Sequence, residues 1–144
     1  MQRALHFPIK GTFYYSADLA IEMGLLKKHT NLHFVFEPDN AYDPFAIQIW
    51  LKHKPSNSLK AAEYLLGYVP RMLTKPLNQL LHSYQVKNLQ VTHLAKHGQF
   101  IEIDCKLIIQ QPIWQFIYLL SLTKISQHSH AIKRLRRRWM RDQP

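Results

Sequence analysis

The stretch EPDNAYDPFAIQI, residues 37–49, decides how the rest of this chain is interpreted. Apolar and polar residues alternate before it and again as the chain leaves it, which is the two-residue period of a β-strand. Between these two alternations lie Pro, Asn and Asp, residues that favour turns. We therefore predict an ordered turn between two strands, with Tyr42 and two Asp residues held at its tip. The alternating apolar residues are Leu32, Phe34, Phe36, Ile47, Ile49 and Leu51.

Length and composition indicate one globular domain with an appendage. The chain has 144 residues, 47% of them hydrophobic, which suffices for one ordinary core but is short for two. The single cysteine, Cys105, cannot form an internal disulfide and is expected to be a buried small residue, which fits a reducing compartment. We expect the protein in the cytoplasm, associated with the nucleoid if the host is bacterial.

No secretory signal or membrane span is expected. The first ten residues lack an apolar run followed by a small-residue cleavage pattern. The longest apolar stretch, residues 113–122, is interrupted by polar residues and is far shorter than the ~20 residues that a spanning helix needs.

Charge is distributed unevenly along the chain, whose net charge is +10. Residues 1–112 hold twelve Lys and Arg against eight Asp and Glu, whereas residues 113–144 hold seven against one. Simple solubility accounts for the first surplus. The second, concentrated in the run KRLRRRWMR at residues 133–141, predicts contact with a polyanion, nucleic acid first and an anionic membrane surface second.

The pattern of the whole chain predicts a mainly β fold of the α+β kind. Six strands and two short helices within residues 1–112 favour a small six-stranded barrel, closed or nearly closed. Pro76 interrupts the second helical pattern, so that helix is expected to begin near it, where proline is tolerated. The predicted strands are residues 4–15, 32–36, 47–51, 64–69, 89–95 and 100–108, with a turn at 97–99, and the predicted helices are 18–26 and 76–84.

A C-terminal helical extension is predicted from residue 113 to residue 144. Residues 113–125 are apolar on most sides, so a helix there must be buried. Packing against the barrel is the default expectation, and self-association through this segment is the alternative.

Three short motifs resemble those of the HIRAN domain family. They are DNAYDPFAI at residues 39–47, LGYVPR at residues 66–71, and GTFYY at residues 11–15, where the family places its first strand. The resemblance covers roughly residues 5–112. It implies a modified OB-like barrel and a stand-alone, bacterial-type member, although the family's domain is often attached to ATP-dependent remodelling enzymes.

The same resemblance implies recognition of single-stranded DNA at its 3′ end, in DNA repair or processing. Tyr14 and Tyr42 would stack on terminal bases, worth ~1–3 kcal/mol per base without sequence preference. Asp43 would accept a hydrogen bond from the 3′-hydroxyl, and Asn40 would help to hold the same nucleotide. Because an ionised carboxylate only accepts, a 3′-phosphate would not be bound equally well. The candidate nucleic-acid-binding residues are Tyr14, Tyr15, Asn40, Tyr42, Asp43, Tyr68, Arg71, Lys133, Arg134, Arg136, Arg137, Arg138 and Arg141.

Two positions of the motifs bear on that assignment. Phe13 stands where DNA-binding members have a basic residue, so a phosphate contact is either lost or supplied by Lys10, Lys52 or Arg71. Gly67 is interpreted as a site of close backbone packing.

No catalytic role, metal or cofactor is expected. The nine histidines have no Cys or carboxylate set at zinc-ligand spacing, and no phosphate-binding loop or nucleophile elbow is present. The expected partner is DNA, together with a repair or recombination protein. Two alternatives stay open: a protein-interaction or oligomerisation module tethered by its basic tail, and a metal-dependent nuclease using Asp39 and Asp43.

Overall fold

The computed structural model describes residues 2–83 and 86–110, together with residues 117, 118, 120–122, 124 and 125. The described residues up to 110 form six strands, two α-helices and one short 3-10 turn. In chain order they are β1 (Gln2–Pro8), the 3-10 turn (Thr12–Tyr14), α1 (Ala17–Glu22), β2 (His33–Phe36), β3 (Ile47–His53), β4 (Ala62–Tyr68), α2 (Arg71–Ser83), β5 (Val86–His97) and β6 (Phe100–Gln110).

The strands pair into two antiparallel sheets of three strands each. Their orders are β1-β6-β5 and β2-β3-β4. The prediction of a mainly β fold with few helices is confirmed. Over the described residues the strand ladders do not run through one continuous barrel, so the closed OB-like barrel stays a prediction.

Isolated bridges join the two sheets at both pairs of edges. Between β1 and β4, Lys10 and Tyr68 exchange two backbone hydrogen bonds of 2.8 Å each. Between β2 and β5, Asn31 pairs with Gln90, and the Leu32 amide donates to the Leu89 carbonyl at 2.8 Å. We call these two lines of contact the β1–β4 seam and the β2–β5 seam. They hold the inner faces of the sheets against each other, and the core lies between them.

Alternation along the strands supplies that core. Every second residue of β6 from Ile101 to Ile109 is buried, and so are Ile47, Ile49 and Leu51 of β3. Cys105 is among these buried residues, as predicted, and burial raises the pKa of its thiol. This thiol is therefore part of the apolar core.

The first strand ends earlier than the sequence analysis predicted. β1 ends at Pro8, and of the aromatic residues assigned to its end, Phe13 and Tyr14 lie in the 3-10 turn and Tyr15 directly follows it. The break follows from Gly11, which has a φ of 77° and whose carbonyl accepts the Tyr14 amide at 2.9 Å. A left-handed residue of this kind ends an extended segment and is suited to glycine.

The second helix begins earlier than predicted. α2 starts at Arg71 and carries Pro76 in its interior. Leu73, Leu77 and Leu80 are buried on one face of it, and this apolar stripe runs through the proline. The packing of the stripe outweighs the one helical hydrogen bond that Pro76 cannot donate. The first helix, in contrast, is shorter than predicted and ends before Gly24, which has a φ of 69°.

Part of the C-terminal extension lies on the domain. The described residues between 117 and 125 are helical, and Leu122 packs against the core, while Ile117, Tyr118 and Ile125 are exposed. The boundary at residue 112 and the basic run 133–141 lie outside the described residues. No helix in the described part of the chain is long and apolar enough to cross a membrane.

Gly67 lies at the seam between β1 and β4, where the predicted close packing is confirmed. Its φ is 152°, and a Cβ at this position would lie 2.2 Å from the carbonyl oxygen of Lys10 and 2.7 Å from a side-chain carbon of Ile9. A backbone oxygen at that distance cannot give way without breaking the bridge to Tyr68. Only glycine fits this position.

We predict that Gly67→Ala lowers the free energy of unfolding by about 3–5 kcal/mol, because backbone strain and overpacking are both penalised. Urea unfolding followed by circular dichroism measures the loss. Gly24→Ala is the matched control: its φ is also positive, at 69°, but an added Cβ meets no atom within 4 Å. It should cost about 1–2 kcal/mol. Equal losses in the two variants would contradict the close-approach explanation.

Candidate nucleic-acid interface

Asn40 organises the turn between β2 and β3. Its Oδ1 accepts the backbone amides of Tyr42 at 2.9 Å and Asp43 at 3.1 Å, and its Nδ2 donates to Glu37 Oε2 at 2.9 Å. A side-chain oxygen that accepts backbone amides a few residues on is the local chemistry that makes Asn common in turns. The ordered turn predicted from the sequence is therefore confirmed, and Asn40 is what orders it.

Glu37 and Tyr68 connect this turn to the β1–β4 seam. The Tyr68 hydroxyl donates to Glu37 Oε2 at 2.9 Å and accepts from Gln48 Nε2 at 3.2 Å. Burial, together with the adjacent Glu37 carboxylate, raises the pKa of Tyr68 to about 12. The hydrogen bond from Asn40, supported by the one from Tyr68, holds the pKa of Glu37 below its ordinary value. The turn is thus fixed to the sheet by a carboxylate whose ionised form these hydrogen bonds favour.

Asp43 anchors the turn to α2. Its Oδ1 accepts the Phe45 amide at 2.9 Å, and its Oδ2 accepts the Thr74 hydroxyl at 2.7 Å. An ionised carboxylate offers about four lone-pair sites, so two internal bonds leave about half of its accepting capacity. Asp43 is half-buried, and its carboxylate is held in place by both partners.

Thr74 is a residue of the candidate site that the sequence analysis missed. It is 4% exposed and lies among the buried leucines of α2. A buried polar side chain on an apolar helix face requires a hydrogen-bonding partner, and that is the signal that could have found it. No local pattern indicates that the partner is Asp43, because it lies thirty-one positions earlier.

Two tyrosine rings project from this region into solvent. Tyr42 is 86% exposed and Tyr14 is 80% exposed. The backbone of Tyr42 is nevertheless fixed, because its amide donates to Asn40 and its carbonyl accepts Arg71 Nη2 at 3.3 Å. When the backbone is already fixed, ordering an exposed aromatic ring around a ligand costs little conformational entropy. The faces of such a ring are free for stacking.

The 3-10 turn adjoins the same network through aromatic contacts. The Tyr15 ring lies 5.5 Å from the Tyr68 ring, and the Phe13 ring meets the Tyr14 ring edge-on at 5.4 Å. Phe13 thus supports the exposed Tyr14 ring from its side. The structure brings together, through one chain of contacts, Tyr15, Tyr68, Asn40, Tyr42, Asp43 and Arg71.

Of the three basic residues considered for a phosphate contact, Arg71 is bound directly to the turn. It lies at the start of α2. A second basic residue of the same helix, Lys75, also lies near the turn, with its Nζ 5.6 Å from the centre of the Phe45 ring. Lys52 pairs with Glu63 at 3.4 Å on the exposed surface of the sheet, and Lys10 contributes its backbone to the seam. The predicted basic tail residues 133–141 lie outside the described residues.

The described residues contain no group of three or more His, Cys, Asp or Glu placed to hold a metal ion. Asp39 is exposed, and Asp43 is bonded to Phe45 and Thr74 as described above. The nuclease alternative based on this pair stays a prediction.

Comparison with known proteins identifies the relatives of this fold. Residues 2–110 match the family model of the HIRAN domain. The crystal structure of the HIRAN domain of human HLTF is similar, with a TM-score of 0.53 and 15% identity, covering 84% of this chain and 86% of that one. A protein from Lactobacillus plantarum, solved by a structural genomics consortium, has a TM-score of 0.52 and 22% identity, covering 76% and 100%. At such identities the two structures show a shared fold alone, and comparison with curated proteins gave no match.

We predict that Glu37→Gln destabilises the protein by about 1 kcal/mol at neutral pH, because the uncharged amide oxygen accepts the hydrogen bonds of Asn40 and Tyr68 more weakly than the ionised carboxylate does. The pKa of Glu37 is lowered on folding from 4.5, so its stabilisation is complete above that value and is lost as the pH falls through the lower, folded pKa. Urea unfolding at several pH values should show the difference between wild type and variant shrinking on acidification.

The control for that experiment is Glu63→Gln, which removes an exposed carboxylate of β4 that pairs with Lys52. An exposed ion pair of this kind contributes ~0–1 kcal/mol, so little change is expected. A difference for Glu37→Gln that does not depend on pH between 3 and 7 would show that ionised Glu37 does not hold the turn.

We also predict that Thr74→Val costs about 1–2 kcal/mol of unfolding free energy, because it leaves Asp43 Oδ2 without its buried donor. Hydrogen exchange at the Phe45 and Tyr42 amides should become faster, since the turn loses its anchor on α2. Thr74→Ser keeps the hydroxyl and serves as the control. A serine variant as destabilised and as fast in exchange as the valine variant would count against this hydrogen bond.

Proposed function

The chain belongs to the HIRAN domain family, and from this premise we propose that it binds DNA, preferentially a single strand that ends in a free 3′-hydroxyl. It acts as a binding module without catalysis of its own. The two sheets, joined at both seams, are best regarded in this proposal as an OB-like barrel that presents the turn of residues 37–46 to the ligand.

One observation carries the proposal: Tyr42 and Asp43 stand side by side on a turn whose backbone is fixed. Tyr42 offers a ring that is 86% exposed, and Asp43 offers a carboxylate whose internal bonds occupy one site on each oxygen. A stacking surface next to an acceptor suits a nucleotide that has both a base and a terminal hydroxyl. Base stacking on aromatic side chains does not depend on sequence, so the site recognises an end and not a base order.

Charge explains why the end must be a hydroxyl. Asp43 would repel a phosphate, and an ionised carboxylate has no proton to donate to one. A 3′-hydroxyl can donate to the remaining lone pairs of Asp43. Arg71, bonded to the carbonyl of Tyr42, carries positive charge to the same turn and is suited to the phosphate on the other side of the terminal nucleotide.

In this proposal the basic run at residues 133–141 makes a second contact with the nucleic acid, one without sequence preference. Lys and Arg side chains on phosphates give affinity that falls with salt, with a slope of about −0.9 per phosphate neutralised on duplex DNA. We propose that the barrel recognises the end and the tail strengthens binding to any nucleic acid. In this proposal the protein acts in the cytoplasm, on the nucleoid of a bacterial host, and assists a repair or recombination enzyme.

The interaction-module alternative depends on the C-terminal segment. Ile117, Tyr118 and Ile125 are exposed there, which favours a contact with a second copy. Leu122, however, packs against the core of its own chain, so part of this segment is already used in an intramolecular contact. A mass that rises with protein concentration in light scattering would support the alternative.

We predict that the protein binds a short single strand with a free 3′-hydroxyl about 10-fold to 150-fold more tightly than the same strand with a 3′-phosphate, in line with a charge-assisted hydrogen bond of ~1.5–3 kcal/mol. Asp43→Ala should abolish the preference. Tyr42→Ala should weaken binding to both strands about 5-fold to 150-fold. Fluorescence anisotropy at two salt concentrations measures both effects.

Asp39→Ala is the matched control, because it removes one negative charge from the same turn at an exposed position. It should keep the preference and strengthen binding to both strands slightly. Equal affinity for both ends in the wild type, with a steep salt dependence that Asp43→Ala leaves unchanged, would mean that the tail binds DNA and that the turn has another ligand. Cleavage of the strand that needs a divalent ion and is lost in Asp43→Asn would instead support the nuclease alternative.

A further inference from the structure

The outer face of the β2-β3-β4 sheet carries a tryptophan that the proposed end-binding site does not use. Ile47, Ile49 and Leu51 of β3 point into the core, and because side chains alternate along a strand, the residues between them lie on the outer face. Trp50 is the central one of these and is half-buried.

A chain of hydrogen bonds connects Trp50 to the candidate interface. Its indole Nε1 donates to Gln48 Oε1 at 2.8 Å, Gln48 Nε2 donates to the Tyr68 hydroxyl at 3.2 Å, and that hydroxyl donates to Glu37 at the base of the turn. The indole has one polar group, and that group is satisfied within the protein. What the ring can offer a ligand is therefore its aromatic surface.

Besides Gln48, the neighbours of Trp50 on this face include an apolar and two basic residues. His33 of β2 and Leu65 of β4 lie opposite Trp50 in the strand register, and Lys52 follows it on β3.

Among the described residues registered on this face of the three strands, Glu63 is the one carboxylate, and it pairs with Lys52 at 3.4 Å. Glu37, which directly follows β2, reaches the same face through the Tyr68 hydroxyl. Both carboxylates have partners within the protein, and an aromatic surface beside Lys52 suits a polyanion whose bases can stack.

We propose that this outer face, centred on Trp50, is a second stacking subsite for single-stranded nucleic acid, which binds nucleotides of the same strand beyond those at the 37–46 turn. The inference rests on the proposed function, since the strand is placed by its end at Tyr42 and Asp43. The line of contacts from Glu37 through Tyr68 and Gln48 to Trp50 makes the two subsites continuous. An affinity that increases with strand length follows from this arrangement.

Fluorescence of Trp50 tests the contact directly. The chain has three tryptophans, so a variant with Trp114→Phe and Trp139→Phe leaves Trp50 as the only emitter. An octanucleotide with a free 3′-hydroxyl should quench this emission, because a base stacks on the indole. A dinucleotide that fills only the end site should quench it little.

Affinity measurements separate stacking from a general loss of structure. Trp50→Leu, which keeps apolar cover over the sheet, should bind the octanucleotide about 5-fold to 150-fold more weakly, in line with ~1–3 kcal/mol for a stacked base. It should bind the dinucleotide as the wild type does. Trp50→Phe retains an aromatic ring and should retain most of the octanucleotide affinity. The salt dependence of binding should be the same in all variants, because stacking neutralises no phosphate.

The outcomes distinguish this inference from the function on which it rests. Hydroxyl-end preference with no quenching by the octanucleotide, and with wild-type affinity in Trp50→Leu, overturns the Trp50 subsite and leaves the end site standing. Equal loss of dinucleotide and octanucleotide binding in Trp50→Leu also overturns it, because Trp50 then acts through the end site. If the wild type binds neither oligonucleotide, both the Trp50 subsite and the proposed function are contradicted.

Discussion

The close approach of two backbones at Gly67 is the constraint on which the rest of the structure depends. Lys10 and Tyr68 exchange backbone hydrogen bonds next to this point, and a Cβ on Gly67, which precedes Tyr68, would lie 2.2 Å from the carbonyl oxygen of Lys10. The two sheets can therefore meet along this edge only because one side chain is missing. The residues that we assign to ligand binding lie around the end of β4, which this bridge holds in place.

Tyr68 connects that backbone constraint to the residues of the candidate site. Its main chain forms the seam, its ring contacts Tyr15, and its hydroxyl joins Glu37 to Gln48. Through these contacts the 3-10 turn, the loop of residues 37–46 and the outer face of β3 become parts of one surface. The residue that looked from the sequence like one more stacking ring serves here as the junction of three segments.

The sequence predicted most of the local structure of this site and little of its long-range bonding. Turn chemistry identified the loop around Asn40, and the position of Gly67 indicated close packing, because both depend on neighbours in the chain. Thr74 was missed because its partner Asp43 is thirty-one positions away. The start of α2 was misplaced because Pro76 was weighed by local propensity, whereas the buried stripe of leucines decides it. Residues 133–141, which carry much of the predicted charge, lie outside the described residues.

The most direct test of the account is to map the binding surface on the isotopically labelled protein, by following backbone amide chemical shifts as a short single strand with a free 3′-hydroxyl is added. The account predicts that the largest changes fall on the amides of Tyr14, Tyr42 and Asp43, and that they saturate together. Changes confined to residues 133–141, or to the β1-β6-β5 sheet, would contradict it and would show that the turn of residues 37–46 is not where this protein meets DNA.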